Sequence, residues 1–445
     1  MRWLIIEDAL RDRKGHWFEY LSTFYEGLRA LGDSVEILAD HRAEPHIIER
    51  LQARPVLPDS IWHRMGDGAG SFTRYARIPL HALATRRAVA RWFRHQPEPD
   101  IIFVPTVLVH HLLGWTWLIK GRLRRTPARI ILFFPNTPVR LDENTGAPVW
   151  VPSPTARLFC RLIRSLSSEV GQGRVILGAE TKPMRDALTR LTGVPFTYFP
   201  HPVEIPHFPV PAPPSALRPP PSGLRSQVSA FENVRSPWSV VRSPPSVDCQ
   251  LPTANGQLPS EPITFACYGP ARQEKGSDLL VAAIEKYLQK KPDSRIKFVL
   301  QWLDDFTTAA GETSRIPLAL RQDSRVEIIN RFFADGEYSQ RLASTQVLLL
   351  PYRRSSYALR VSRVVIEAMV NGIPVVVTRG TTLAQQAEEF GAEVLCADDK
   401  MESLVAAMET VERNYEALAA LARERRAPAR EHFSVAEFRR IVFSK

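Results

Sequence analysis

Fourteen of the chain's 37 prolines fall between residues 204 and 262, including Pro219-Pro220-Pro221 and Pro244-Pro245. Proline has no amide donor and a fixed φ, so this stretch can supply neither a core helix nor a central strand. It divides a chain of 445 residues, too long for one ordinary core, into two halves. The expected organisation is an N-terminal domain over 1–203, an extended, mobile linker over 204–262, a C-terminal domain over 263–425, and a last helical segment, 426–445, packing back on the N-terminal domain. Within the linker, Phe231, Trp238, Val240 and Val241 offer local docking.

Each half alternates short apolar runs with helical spacing. In the first, Trp3–Ile6, Ser34–Leu38, Ile101–Val104, Ile130–Phe134 and Val175–Gly178 read as strands. A helix over Trp17–Leu31 carries Phe18, Leu21, Tyr25 and Leu28 on one face and stops at Gly32. In the second, strands are expected at Ile263–Tyr268, Ile296–Leu300, Val326–Ile329, Val347–Leu350 and Val375–Thr378. Helices are expected at Ser277–Leu288, Met401–Arg426 and Val435–Val442. Strands interleaved with helices imply α/β architecture: two Rossmann-like, doubly wound parallel sheets.

Charge narrows the partners. There are 58 Lys+Arg against 47 Asp+Glu, a net charge of +11. The excess favours an anionic partner such as a diphosphate, an acidic membrane surface or nucleic acid, or else reflects solvated surface arginines. Cys160, Cys249, Cys267 and Cys396 are scattered, without a CxxC pair or histidines at metal spacing. No metal is therefore assigned, and a reducing, cytoplasmic setting is expected. The N-terminal apolar run is too short for a signal peptide, and no run approaches the roughly 20 residues that span a bilayer. Trp115, Trp117 and Leu118, followed by Lys120, Arg122, Arg124 and Arg125, suit an anionic membrane interface or a buried tryptophan face with basic helix-end residues.

Three segments could carry chemistry. Tyr268-Gly269-Pro-Ala-Arg272-Gln-Glu-Lys275-Gly276-Ser277 leaves a strand and opens a helix. Backbone amides, a glycine allowing close approach, and Arg272 and Lys275 together suit a diphosphate, although a plain turn with solvated charges has the same composition. The segment lacks the GxGxxG dinucleotide fingerprint. Next, Pro351-Tyr352-Arg353-Arg354-Ser355-Ser356-Tyr357-Ala-Leu359-Arg360-Val-Ser362-Arg363 follows a strand and suits phosphate and sugar hydroxyls, or is an arginine-rich surface loop. It runs into a helix with one acid, Glu367, before Gly372, Pro374 and a buried strand. A carboxylate in an otherwise apolar helix needs a partner or a job, and a ribose diol is one such job.

In order and separation, these segments resemble the nucleotide-sugar-binding signature of GT-B glycosyltransferases of the family-4, group 1 type. The resemblance is specific over about 263–400 and looser before it, where the opening strand–glycine-loop–helix and Phe199-Pro-His201-Pro202-Val203 are similar. It implies a metal-independent, retaining sugar transfer from a nucleoside-diphosphate sugar, a UDP- or GDP-sugar, across a cleft between the two domains. No further cofactor is expected. The acceptor would be a glycan or lipid-linked, the setting polysaccharide or cell-envelope assembly, and the location cytoplasmic, with peripheral contact on the inner face of the membrane. In that family the helix glutamate, here Glu367, holds the ribose, and the lysine of the EKG turn, here Lys275, neutralises the diphosphate. The family's arginine follows the first glycine of the turn. This chain has Pro270 there, and Arg272, two positions later, stands in. An earlier family glutamate that contacts the donor sugar corresponds to Leu359, so sugar recognition is changed, with Arg360 or Tyr357 taking over part of it. Ser362 falls where a small polar residue leaves amides free for phosphate. Arg363, beside it, and Thr381, in a loop facing the same cleft with Thr382, complete the expected donor set.

On the N-terminal side, Gly15 lies in the first strand–helix loop, and His16 would contact the acceptor or the donor sugar and phosphate, or cap the helix. The expected catalytic set is thus His16, Arg272 and Lys275. Glu7, Asp8 and Asn136 lie near the same sheet edge, while His110-His111 read as packing or surface residues. Two other classes remain open at this level. Leu359 in place of a glutamate suits a non-catalytic sugar-nucleotide-binding or scaffold protein. The charge suits a nucleic-acid binder, against which stands the lack of any basic–aromatic or helix-turn-helix signal.

Overall fold

The computed structural model of the chain describes residues 1–13, 17–60, 71–94, 96–142, 145–204, 262–334 and 336–444, without side chains at 71–77. Most of the proline-rich segment, with Phe231, Trp238, Val240 and Val241, lies outside these residues, as do Lys14, Gly15 and His16.

The N-terminal sheet has seven parallel strands: β1 (Arg2–Ile6), β2 (Ser34–Asp40), β3 (Arg54–Leu57), β4 (Ile101–Val104), β5 (Arg129–Phe134), β6 (Val175–Ala179) and β7 (Thr197–Tyr198). Their order is β3-β2-β1-β4-β5-β6-β7. The C-terminal sheet has six: β8 (Thr264–Cys267), β9 (Lys297–Gln301), β10 (Val326–Ile329), β11 (Val347–Leu350), β12 (Val375–Thr378) and β13 (Glu393–Cys396). They run parallel in the order β10-β9-β8-β11-β12-β13. Both are doubly wound, so each reverses its strand order at one point: between β1 and β4, and between β8 and β11. Ligands of such sheets bind outside the carboxyl ends of the strands at that point.

Strand pleating explains why these strands are apolar throughout. Successive side chains face opposite sides, and helices cover both. Along β1, Leu4 and Ile6 enter one core cluster while Trp3 and Ile5 enter another. Along β8, Phe265 and Cys267 face one cluster, and Ala266 and then Tyr268 face the other.

The chain's end differs from the expected division at 425/426. One helix runs Met401–His432, with a non-helical residue at Asn414 and Pro428 inside it. A proline there costs about 3 kcal/mol. Burial of Ala429 and Phe433, just after it, in the C-terminal core offsets this. The last helix, Val435–Phe443, then lays Val435, Phe438 and Val442 into the N-terminal core, where the Phe438 and Phe199 rings stack 4.4 Å apart. Arg439 pairs with the buried Asp33 at 2.6 Å. Three further contacts join the two sheets near their carboxyl edges. Arg363 pairs with Glu19 at 2.6 Å, Lys182 with Glu389 at 2.6 Å, and the Thr181 hydroxyl donates to the Leu359 carbonyl at 2.6 Å.

Candidate functional site

The C-terminal switch point is where the sequence motifs converge. After β8 the chain turns through Gly269, makes one turn of 3-10 helix at Gln273–Lys275, and enters the helix Ser277–Lys290 through Gly276. Gly276 has φ +65, and a Cβ there would lie 2.2 Å from the Pro351 carbonyl oxygen, so only glycine lets the turn pack on the end of β11. That packing aims Lys275 inward. Its Nζ would lie 2.6 Å from a Cβ on Gly269, and it sits over the Tyr352 ring, 5.8 Å from the centroid. Gly269 is held by its own N–H donating to Gln301 Oε1 at 2.7 Å. Burial pushes the Lys275 amine below its ordinary value. Among the described residues no carboxylate lies within ion-pair distance of it, in contrast to Arg353, which is taken by Asp278 and Asp399 at 2.9 and 2.8 Å. Arg272 is exposed, 3.5 Å from Glu274.

The second wall is the helix Arg363–Asn371. No side chain caps its first turn, and no acid lies in that turn. Such a terminus leaves amide donors for an anion. Ser362, its N-cap, is buried, and Arg360 is exposed. Thr381 instead caps the next helix, accepting from the Ala384 N–H and donating to the Thr378 carbonyl.

Glu367 is buried one turn into the Arg363–Asn371 helix. Its Oε1 accepts from Arg363 Nε at 2.7 Å, and its Oε2 accepts from the Tyr338 hydroxyl. Burial disfavours charge on Arg363, but Glu367 and then Glu19 outweigh it and raise its pKa. A carboxylate has about four acceptor sites. Two are used here, so Glu367 retains capacity for two hydroxyls. Tyr338 has no sequence signal: it is 29 residues away, on the short helix Glu337–Ala343 after β10, and meets Glu367 only in the folded chain. Leu359 is buried and packs into the N-terminal domain's core cluster, so this loop fastens the two domains together with an apolar side chain.

The facing N-terminal edge has the opposite chemistry. Glu7 and Asp8 at the end of β1, Thr106 after β4, and His81, His110, His111, Glu180 and His201 are all buried. Burial, reinforced by Asp8, raises the Glu7 pKa to about 8. Burial also lowers that of His201 to about 3, with Arg363 adding to the effect. His201 stacks on Tyr20, ring centroids 4.6 Å apart. Asn136 is half-buried in the loop after β5. The tryptophan–basic segment is not a surface patch as a whole: Trp115 and Leu118 are core residues, and of its apolar members only Trp117 is exposed. The basic residues after it precede β5. Arg174, just before β6, donates to the Leu123 carbonyl, which places that stretch at the sheet edge away from the switch point.

Comparison with known proteins bears on the family and the fold. Residues 262–414 match the family described as glycosyl transferases group 1. Whole-chain structural likeness extends to Anabaena HepE in complex with UDP and glucose, with a TM-score of 0.57, 13% identity, and 100% of this chain and 98% of that chain covered. It extends also to a glycosyltransferase from Rickettsia africae, with a TM-score of 0.60, 12% identity, and 99% and 96% covered. A third is the sucrose-phosphate synthase of Thermosynechococcus elongatus, with a TM-score of 0.55, 14% identity, and 100% and 97% covered. No curated protein matches the chain. The fold is therefore GT-B, two Rossmann-like parallel-sheet domains. With a group 1 domain in its C-terminal half, the protein is a glycosyltransferase.

Proposed function

We propose that the chain moves a sugar from a nucleoside-diphosphate sugar, a UDP-sugar first, to a glycan or lipid-linked acceptor. The transfer is retaining and uses no metal at the diphosphate, in the setting of polysaccharide or cell-envelope assembly. One observation carries the donor assignment. Lys275 is a desolvated cation that, among the described residues, has no carboxylate partner, aimed at the strand ends beside an uncapped helix N-terminus. A diphosphate supplies the missing charge and accepts from the amides of that helix, with Arg272, Arg360 and Ser362 at the rim. Glu367, steadied by Arg363 and Tyr338, takes the ribose hydroxyls. The same groups stabilise the diphosphate as it leaves, which is where charge develops in the transition state. The solved HepE complex with UDP and glucose supports the choice of base. Membrane attachment forms no part of this reading, because the exposed basic residues face away from the switch point.

The test is calorimetric binding of UDP, GDP and ADP without added metal, to wild type and to Glu367→Ala. Expected is binding of UDP that Glu367→Ala weakens at least tenfold, which is about 1.4 kcal/mol. No binding of any of the three by folded protein would sink the donor assignment. Binding without turnover of any UDP-sugar would favour a non-catalytic nucleotide-binding role.

A further inference from the structure

The N-terminal switch point holds a cluster that sugar transfer does not use. Asp8 Oδ2 lies 2.9 Å from His81 Nε2 and 3.1 Å from His111 Nε2. His110 Nε2 lies 3.1 Å from His111 Nε2. These residues come from three places: the exit of β1, the helix Ser71–Trp92, and the start of the helix Val109–Lys120. All four are buried, and His81 is only 7% exposed. Its Nε2 is close to Asp8 but misaligned for a hydrogen bond, and among the described residues its Nδ1 has no partner either. A buried imidazole without hydrogen bonds is costly, and one aimed at a carboxylate and a second imidazole calls for a shared ligand.

We propose that Asp8, His81 and His111 bind a divalent transition ion of the zinc class, its fourth position left open with His110 beside the site. The spacing fits. Bonds of roughly 2.0–2.1 Å in a tetrahedron put donors about 3.3–3.4 Å apart, so the present contacts need open by only a few tenths of an ångström. The donor set fits as well, since imidazoles with one carboxylate select zinc-like ions over magnesium or calcium, which take oxygen donors. His111 also hydrogen-bonds the Thr106 backbone; with Nε2 on the ion, the ring proton sits on Nδ1 and donates to that carbonyl in place of the present 3.3 Å contact from the Leu108 N–H. The ion ties β1 to two helices on the N-terminal edge. It is not a counter-ion for the donor diphosphate, which the other domain holds. The histidine pair was unreadable as a site in sequence because its partners stand 103 and about 30 residues away.

A second convergence, Asp40, His41 and Asp59, serves as a control. Its His41 is about half exposed, and Asp59 is paired with Arg42 at 3.0 Å. Full-length protein stripped with a chelator would be titrated with Co²⁺, read by visible absorption and calorimetry, and then with Zn²⁺. Expected are one equivalent of Co²⁺ with tetrahedral ligand-field bands, its displacement by Zn²⁺, and a higher melting temperature with Zn²⁺. His81→Ala, His111→Ala and the milder Asp8→Asn should each weaken uptake at least tenfold, while His41→Ala leaves it unchanged. Absence of uptake by wild type overturns the proposal even if a variant fails to fold. So does uptake that His41→Ala abolishes, or that survives in folded His81→Ala and His111→Ala.

Discussion

The two switch points face one another with opposite charge problems. On the C-terminal edge a cation, Lys275, is desolvated without an anion among the described residues. On the N-terminal edge carboxylates, Glu7 and Asp8, are desolvated among histidines, and burial holds Glu7 near pKa 8 while His111 and His81 outweigh burial and depress Asp8. Both edges come from the same fold rule, which frees backbone and side chains where strand order reverses. The difference lies in what each lacks. The C-terminal edge is complementary to a diphosphate, whereas the N-terminal edge already balances Asp8 against imidazoles.

The sharpest way to break this contrast is Lys275→Met. Loss of a transition-state donor costs about 100-fold or more in kcat/KM. Because the removed cation is uncompensated, thermal unfolding should show no loss of stability. A variant with near-normal kinetics would remove the C-terminal edge from the reaction. Next comes Leu359→Glu, which supplies the carboxylate that the family resemblance implies there. With that position packed in the N-terminal core, urea unfolding should show a loss of about 3 kcal/mol. An unchanged midpoint with faster transfer would mean that the loop turns into the cleft instead. A smaller effect is expected for Tyr338→Phe, which removes one hydrogen bond from Glu367. UDP should bind about fivefold more weakly, near 1 kcal/mol, and tighter binding would recast Tyr338 as a competitor of the ribose. The smallest effect is on protons. Burial lowers the Lys275 pKa in the free protein, and a diphosphate raises it again. UDP binding should therefore take up a fraction of a proton at alkaline pH and weaken as pH rises through the depressed value. Calorimetry in buffers of different ionisation heat reads this directly, and Lys275→Met should abolish it.

Much of the C-terminal edge was legible in sequence because it is local. Strand β8, the turn to Lys275 and the helix at Ser277 are contiguous, and Glu367 stands alone in an apolar helix. Strand cores were legible for a similar reason, since burial on both faces makes them uniformly apolar. Of the edge strands, Val326–Ile329 was legible, but Arg54–Leu57 and Glu393–Cys396 were not, being exposed or half-buried up to their last residue and weak in pattern. The helix Ser71–Trp92 was also missed, having an interior Pro79 and little amphipathic contrast. The arginine-rich segment 351–363 suited phosphate or a surface loop in sequence; Asp278 and Asp399 take its Arg353, a pairing that spacing cannot reveal.

By itself, then, the sequence determined two doubly wound sheets, the positive turn at Lys275 and the lone Glu367, because each follows from periodicity, turn chemistry or the cost of burying charge within one short segment. Tertiary structure alone decided the rest. It brought Tyr338 and Arg363 onto Glu367, sank Leu359 into the opposite domain, and gathered Asp8, His81, His110 and His111 at one edge. The physical reason is range: these contacts join residues that the chain keeps apart, and they become neighbours only when strand order reverses and helices fold back across the sheet.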